Sequence, residues 1–352
     1  MDGLFGGGER YPLELARALA RDVDCELVTF GRRGRMLREP GGLRVRVLRP
    51  WARLRGHPAH PVNPALPAVL AGADVVHTHH MRSAPSRVAA VACRLAGRPL
   101  AVTDHGLGGG GWGGMLPRLF DRFLVVSRFS AVTLGAPPYR TTVVYGGADP
   151  VRYHPPASGG EREGVLFVGR LTPHKGVDLL IRAVSRDVPL TIAGTRGHDP
   201  RPPGSGYPEL LARLARGRRV RFVAGSDDAG VAALYRQAAV VCLPSVDVTC
   251  YGQHVQISEL LGLAAIESMA SGTPVVCSRL GGLAEVVQHG ETGFLAEPGN
   301  VAELRDRIAT VLADRRLARR LGDNARTLAL ERFTWQACAR RCLAAYPPTA
   351  AR

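Results

Sequence analysis

Lysine is almost missing from this chain: of its 46 basic residues, Lys175 is the single lysine and the rest are arginine. That bias fits drift in a GC-rich genome and alone says little about partners. Long apolar runs are missing too. No stretch of about 18 apolar residues occurs, so no transmembrane helix is expected. The opening MDGLFGGGERYP lacks the basic and apolar regions of a secretory signal. Seven cysteines form no CxxC pair, the usage of reduced thiols in a cytoplasm, which is the expected location. Cys338 and Cys342 stand one helical turn apart without the His or Cys neighbours that a metal would need. No aromatic stacking set accompanies the arginines, which argues against a nucleic-acid partner. No clean GxGxxG follows a strand with an acid placed for a ribose, which argues against nicotinamide dinucleotides.

What is present has room to fold. A chain of 352 residues, 45% apolar, can build two ordinary domains with a substantial core. Its net charge of +16 is unevenly spread. Residues 31–56 carry nine arginines against one acid, Glu39, so this short span supplies about half the excess. A solvated face is one reading; an anionic membrane surface or an acidic acceptor are the others.

Strands and helices alternate along the chain. Strands are read at 25–30, 43–50, 73–80, 99–106, 123–127 and 141–149, with helices near 85–96 and 128–135. Pro155 to Gly160 reads as a linker. A second series follows, with strands at 164–169, 189–194, 220–225, 239–245 and 273–278, helices between them, and a closing helical region. Such alternation implies parallel βαβ units, so the fold expected is α/β with two doubly wound halves. A glycine run, Gly6 to Gly8, opens a helix reaching about Arg21. Glycines there let backbone amides approach a phosphate or sugar. The five residues before it cannot supply the strand that ordinarily feeds such a loop, so the first strand is expected to be missing.

Residues 258–282 organise the second half. Glu259 and Glu267 would stand about 80° apart on one continuous helix, hence not on one face. Gly262 suggests a break, with Glu259 in a loop and a helix from near Leu263. That helix is apolar nearly all round except for Glu267, which implies burial. A buried carboxylate needs a hydrogen-bonding partner, either from the protein or from a ligand hydroxyl. Upstream, Gly169-Arg-Leu-Thr-Pro-His-Lys175-Gly176 brings two cations and two glycines to a strand end. The expectation is a pyrophosphate clamp, with Arg170 as a fork and Lys175 as a point charge. Other candidates are weaker. Asp22-Val-Asp24 matches a metal-type DxD but reads as a turn, Asp227-Asp228 as a helix cap. His77, His79 and His80 end a strand, where a metal is not expected.

Taken in order, GGGER (6–10), DHG (104–106), YGGAD (145–149), VGRLTPHKG (168–176), E-x7-E (259–267), SGTPVV (271–276) and GETGF (290–294) resemble the family-4 retaining glycosyltransferases of the GT-B fold. The resemblance implies two Rossmann-like domains facing across a cleft. The acceptor domain would span 1–155, the donor domain 160–334, with a helix in 335–348 packing back on the first. It implies a UDP- or GDP-sugar donor, an acceptor sugar, cyclitol or lipid-linked glycan, and neither metal nor cofactor. Arg170 and Lys175 would hold the pyrophosphate, and Glu267 the ribose hydroxyls. Glu259 would bind the donor sugar, and the amides of Gly262, Leu263 and Ala264 would point at the diphosphate. His105 would lie by the reacting face of the sugar, with Gly7 and Gly8 near the β-phosphate. A sugar-nucleotide epimerase, or an impaired paralogue that only binds nucleotide, are the alternatives. Residues 31–56 would then favour a phosphorylated or lipid-linked acceptor, or peripheral contact with an anionic membrane.

Overall fold

The computed structural model describes residues 7–57, 60–105, 114–135, 137–157, 160–195 and 206–348. Its contacts divide into two compact units, residues 7–146 with the segment from Trp335 onward, and residues 147–334. The expectation about a missing opening strand falls on residues 1–6, outside the described residues.

The first unit begins with α1 (Gly7–Leu19), followed by β1 (Glu26–Phe30), β2 (Arg35–Arg38) and β3 (Arg44–Leu48). These strands form one sheet in the order β1-β3-β2, with β1 parallel and β2 antiparallel to β3. The alternation in Arg-Val-Arg-Val-Leu explains the placement. Val45 and Val47 are buried with Leu13 and Ala16 of α1, while Arg44 and Arg46 turn to the other face and pair with Glu26. An antiparallel ribbon, β4 (Ala52–Arg53) with β5 (Pro61–Val62), and a short helix α2 (Leu66–Leu70) follow.

A second sheet of the same unit is all parallel and sequential: β6 (Val76–His79), β7 (Leu100–Thr103), β8 (Arg122–Val125) and β9 (Thr141–Val143). Helix α3 (Ala84–Leu95) connects β6 to β7 and starts at Ser83, whose side chain accepts from the Ser86 amide. Helix α4 (Arg128–Leu134) starts with a reciprocal Ser127–Ser130 capping box and stops at Gly135, left-handed at φ 63°. Leu100, Val102, Phe120 and Phe123 pack with Ala89, Ala90 and Cys93 to make the core. Val102 is fully buried. Val102→Ala is expected to cost about 2 kcal/mol, the loss of two buried carbons plus a small cavity; urea unfolding measures it.

The second unit is one six-stranded parallel sheet. Its strands are β10 (Val165–Val168), β11 (Leu190–Ala193), β12 (Val220–Val223), β13 (Val240–Leu243), β14 (Val275–Ser278) and β15 (Gly293–Ala296). Helices α5 (Val177–Ala183), α6 (Tyr207–Ala215), α7 (Asp228–Gln237), α8 (Leu263–Ala270) and α9 (Leu283–Val286) connect them, and α10 (Val301–Ala313) and α11 (Arg315–Arg332) close the unit. Asp227 caps α7, accepting from the Gly230 amide at 2.8 Å. The strand order is β12-β11-β10-β13-β14-β15. Winding therefore runs one way from β10 through β12 and the other way from β13. The reversal opens a crevice beyond the carboxyl ends of β10 and β13, where doubly wound sheets bind ligands.

Several features differ from the sequence reading: the first unit forms two separate main sheets instead of one doubly wound half, and Arg35–Arg38 is an additional strand. The change of unit falls at Gly146–Gly147, ahead of Pro155. The intervening residues are anchored in the second unit, since the Ala148 amide donates to Phe333 O at 2.9 Å and Tyr153 is buried there. Within the stretch read as closing helices, Gly293–Ala296 is a strand, paired in parallel with β14.

Candidate active site

The switch point of the second unit gathers three segments distant in sequence. After β10, the chain runs through Gly169 and Arg170 into a short 3-10 turn, Pro173–Lys175. Gly169 must lie tight against the next strand, because a Cβ at Gly194 would sit 1.8 Å from Gly169 O. After β13 come Pro244 and Ser245, and before α8 come Ser258 and Glu259. Hydrogen bonds to one backbone carbonyl fasten the three together. The Val246 amide donates to His174 O at 2.8 Å, and Ser258 Oγ donates to the same carbonyl at 3.2 Å.

Lys175 is thereby aimed at Glu259. Its Nζ makes an ion pair with Glu259 Oε1, and Ser245 Oγ donates to that oxygen at 2.8 Å. Both partners are mostly shielded, with side chains 16% and 11% exposed, so the pair is far less screened than a surface one. Below it lies Cys277, whose thiol is raised in pKa by burial and then by the Glu259 charge.

Helix α8 begins at Gly262, which is left-handed at φ 93°. Its first amides, at Leu263 and Ala264, have no carbonyl within the helix to bond. Gly282 lets α9 come against this start, since a Cβ there would lie 2.3 Å from Leu260 O. Further along, Glu267 is 7% exposed, and its Oε2 accepts from Tyr235 OH at 3.0 Å. The protein itself thus offers this buried carboxylate a partner, which the sequence had left open between protein and ligand. Arg170 is exposed and makes no side-chain hydrogen bond or ion pair among the described residues.

The other predicted residues lie in the first unit. Gly7 and Gly8 form the first turn of α1. His105 closes the segment after β7 and belongs to a set of rings that sequence reasoning had not assembled. His79 Nδ1 and His105 Nε2 share a hydrogen bond at 3.1 Å, their rings stacked at 5.3 Å. His77 stacks on His79 at 4.6 Å and is held by Tyr346 OH and Thr103 Oγ1 at 2.9 and 2.8 Å. Tyr11 of α1 sets its edge against His105 at 4.7 Å, and its hydroxyl donates to Tyr145 O. Cys338, in the C-terminal helix Trp335–Ala345, reaches the same carbonyl at 3.3 Å. The readable signal was the period of two: His77 and His79 share a face of β6. No group of three or more His, Cys, Asp or Glu able to hold a metal is found among the described residues.

Burial pushes the His77 imidazole down to about 4, and burial followed by neighbouring imidazoles lowers His79 and His105 well below the ordinary value. The folded state holds these rings neutral, whereas the unfolded chain binds protons near pH 6.5. Stability from this difference is complete above about pH 6.5 and is lost as the pH falls from there toward 4. Denaturant midpoints across that window are expected to fall steadily, and less steeply in His77→Gln.

Two α/β units, the second doubly wound with a shielded cation–carboxylate pair and a helix N-terminus at its switch point, mark a GT-B protein. Comparison gives the family. The profile for Glycosyl transferases group 1 matches residues 155–328, and that for Glycosyltransferase Family 4 matches residues 5–152. The chain is 36% identical over 239 residues to the D-inositol 3-phosphate glycosyltransferase of Kribbella flavida, covering 61% of this chain and 53% of that protein. It is 34% identical over 246 residues to the MMP alpha-(1->4)-mannosyltransferase of Mycolicibacterium hassiacum, covering 67% and 56%. It thus spans about half the length of the curated relatives it matches. Among solved structures, the sucrose-phosphate synthase of Thermosynechococcus elongatus superposes with a TM-score of 0.73 at 25% identity, over 96% of this chain and 92% of that one. Anabaena Alr3699/HepE in complex with UDP-glucose gives 0.75 at 21% identity, over 98% and 96%. The chain belongs to the family-4 glycosyltransferases.

Proposed function

We propose that the protein moves a sugar from a nucleoside-diphosphate sugar to a hydroxyl acceptor, with retention at the anomeric carbon and without a metal. The observation that supports this most is the shielded Lys175–Glu259 pair, with Ser245, at the switch point of the second unit. A diphosphate there would take over the Lys175 ammonium and meet the first amides of α8. Arg170, with no protein partner among the described residues, is assigned to the same phosphates. Glu259, released from Lys175, is assigned to hydroxyls of the sugar, and Glu267 to those of the ribose.

Chemistry follows from charge. The bond between the anomeric carbon and the phosphate oxygen breaks, leaving negative charge on the diphosphate that Lys175 and Arg170 stabilise. The acceptor oxygen attacks the same face of the sugar, and its proton passes to the departing phosphate oxygen. The first unit is assigned the acceptor, with the His79–His105 pair at the carboxyl end of its parallel strands. Because the Kribbella relative is named for inositol 3-phosphate, a phosphorylated cyclitol is the first acceptor to test, ahead of sugars and lipid-linked glycans.

Incubating the protein with UDP- and GDP-sugars and these acceptors, with chelator present, and following products by mass spectrometry and anomeric NMR tests the reading. An α-linked product from an α-linked donor supports it. Interconversion of donors without acceptor would point to an epimerase, and binding without turnover to a nucleotide-binding paralogue.

A further inference from the structure

The arginines of residues 31–56 are not equivalent. Arg44 and Arg46 are consumed by Asp24 and Glu26, and the span's lone acid, Glu39, is held by Arg17 at 2.7 Å. Arg32, Arg33, Arg35, Arg49, Arg53 and Arg55 are exposed and make no ion pair among the described residues. They also cluster. The Gly31 amide donates to Leu48 O at 3.0 Å, and a Cβ placed at Gly34 would lie 3.7 Å from Val47 O and 4.0 Å from the Arg49 amide. The turn bearing Arg32 and Arg33 therefore lies on the carboxyl end of β3, beside Arg49. Arg35 sits opposite Val47 in register. Trp51, whose amide donates to Val62 O at 2.8 Å, then leads the chain into the ribbon that carries Arg53.

Large apolar side chains stand among these cations. Trp51 is 82% exposed and Leu54 52%. A surface evolved only for solubility would not need an indole in water between arginines. Elsewhere some exposed arginines have an acidic partner, as Arg279 has Glu297 and Arg315 has Glu161; these six have none among the described residues. Uncompensated positive charge interleaved with tryptophan and leucine matches one environment, the interface of an anionic bilayer. There guanidinium groups meet lipid phosphates, and an indole rests at headgroup depth.

We infer that this end of the first unit docks on anionic membrane surfaces, with Arg32, Arg33 and Arg49 supplying attraction and Trp51 and Leu54 entering the headgroup layer. The inference does not depend on the transferase reading. Vesicle sedimentation of the whole protein tests it, comparing phosphatidylcholine alone with equal parts phosphatidylcholine and phosphatidylglycerol. Binding is expected only to the second and should weaken as salt is raised. Neutralising Arg32, Arg33 and Arg49 together (each →Gln) is expected to lower partitioning about fivefold per charge, so roughly a hundredfold. Trp51→Ala with Leu54→Ala should lower it about tenfold at constant charge. Indole fluorescence should shift to the blue on vesicle addition, and the shift should vanish in Trp51→Phe. All these side chains are exposed, so an unchanged thermal midpoint is expected in each variant. Equal binding to both vesicle types, or to neither, overturns the inference. So does loss of binding in the arginine variant with none in the Trp51/Leu54 variant, which would mark a site for a soluble polyanion instead.

Discussion

Replacing Lys175 with alanine is expected to lower the turnover of sugar transfer about a hundred- to a thousandfold, the loss seen when one preorganised charge-stabilising donor is removed. The ammonium is pinned from three directions. Its own turn is fixed by Gly176 and by the bonds to His174 O, its partner Glu259 is held by Ser245, and little water reaches either side chain. Charge that develops on a leaving diphosphate would meet a cation that need not reorganise. Arginine is this chain's habitual cation, yet Lys175→Arg should recover little, because a planar fork cannot replace a compact point charge against a single carboxylate oxygen. The alanine variant also leaves Glu259 without its cation, so some stability will be lost, and the thermal midpoint must be read alongside the rate. Turnover within about threefold of the parent, in a folded variant at saturating donor, would sink the proposed role.

Gly176→Val is expected to destabilise the second unit by about 3–5 kcal/mol. The backbone there is left-handed, φ 65°, which costs an L-residue about 1–2 kcal/mol and a β-branched one more. Space is the harsher limit. A Cβ at Gly176 would stand 2.0 Å from Pro244 O, the carbonyl just past β13, so one of the two segments that form the crevice has to move. Overpacking of this kind adds about 1–3 kcal/mol. Guanidinium unfolding of the whole chain gives the number, and the displaced turn should also weaken nucleotide binding, measurable by calorimetry. A midpoint unchanged from the parent would show that the turn yields where the packing says it cannot.

Much of this architecture was legible because it rests on period and order. Apolar runs such as those of β7, β10 and β13, separated by helical patterns, specify parallel strands buried on both faces. The break at Gly262 was legible from a glycine standing between two glutamates. What escaped had physical reasons. The strand Arg35–Arg38 carries charge on an edge and buries almost nothing, so no alternation marks it. Gly293–Ala296 is four residues in a polar neighbourhood, too short to stand out from the helices after it. Tyr235 as partner to Glu267, and Tyr11 and Tyr346 around the histidines, depend on packing between distant segments, to which no local pattern points. Lys175 was visible as the lone lysine, but its pairing with Glu259 requires the winding reversal between β10 and β13.

The C-terminal helix has a bearing on how the molecule is made. Cys338, Ala339 and Cys342 are fully buried in the unit formed by residues 7–146, yet the whole of residues 147–334 precedes them in the chain. The second unit is continuous in sequence and can close as soon as it emerges, whereas its elder neighbour must wait with Tyr11 uncovered until the helix Trp335–Ala345 has followed. A stop codon a few residues past Phe333 would therefore injure the beginning of the protein rather than its end.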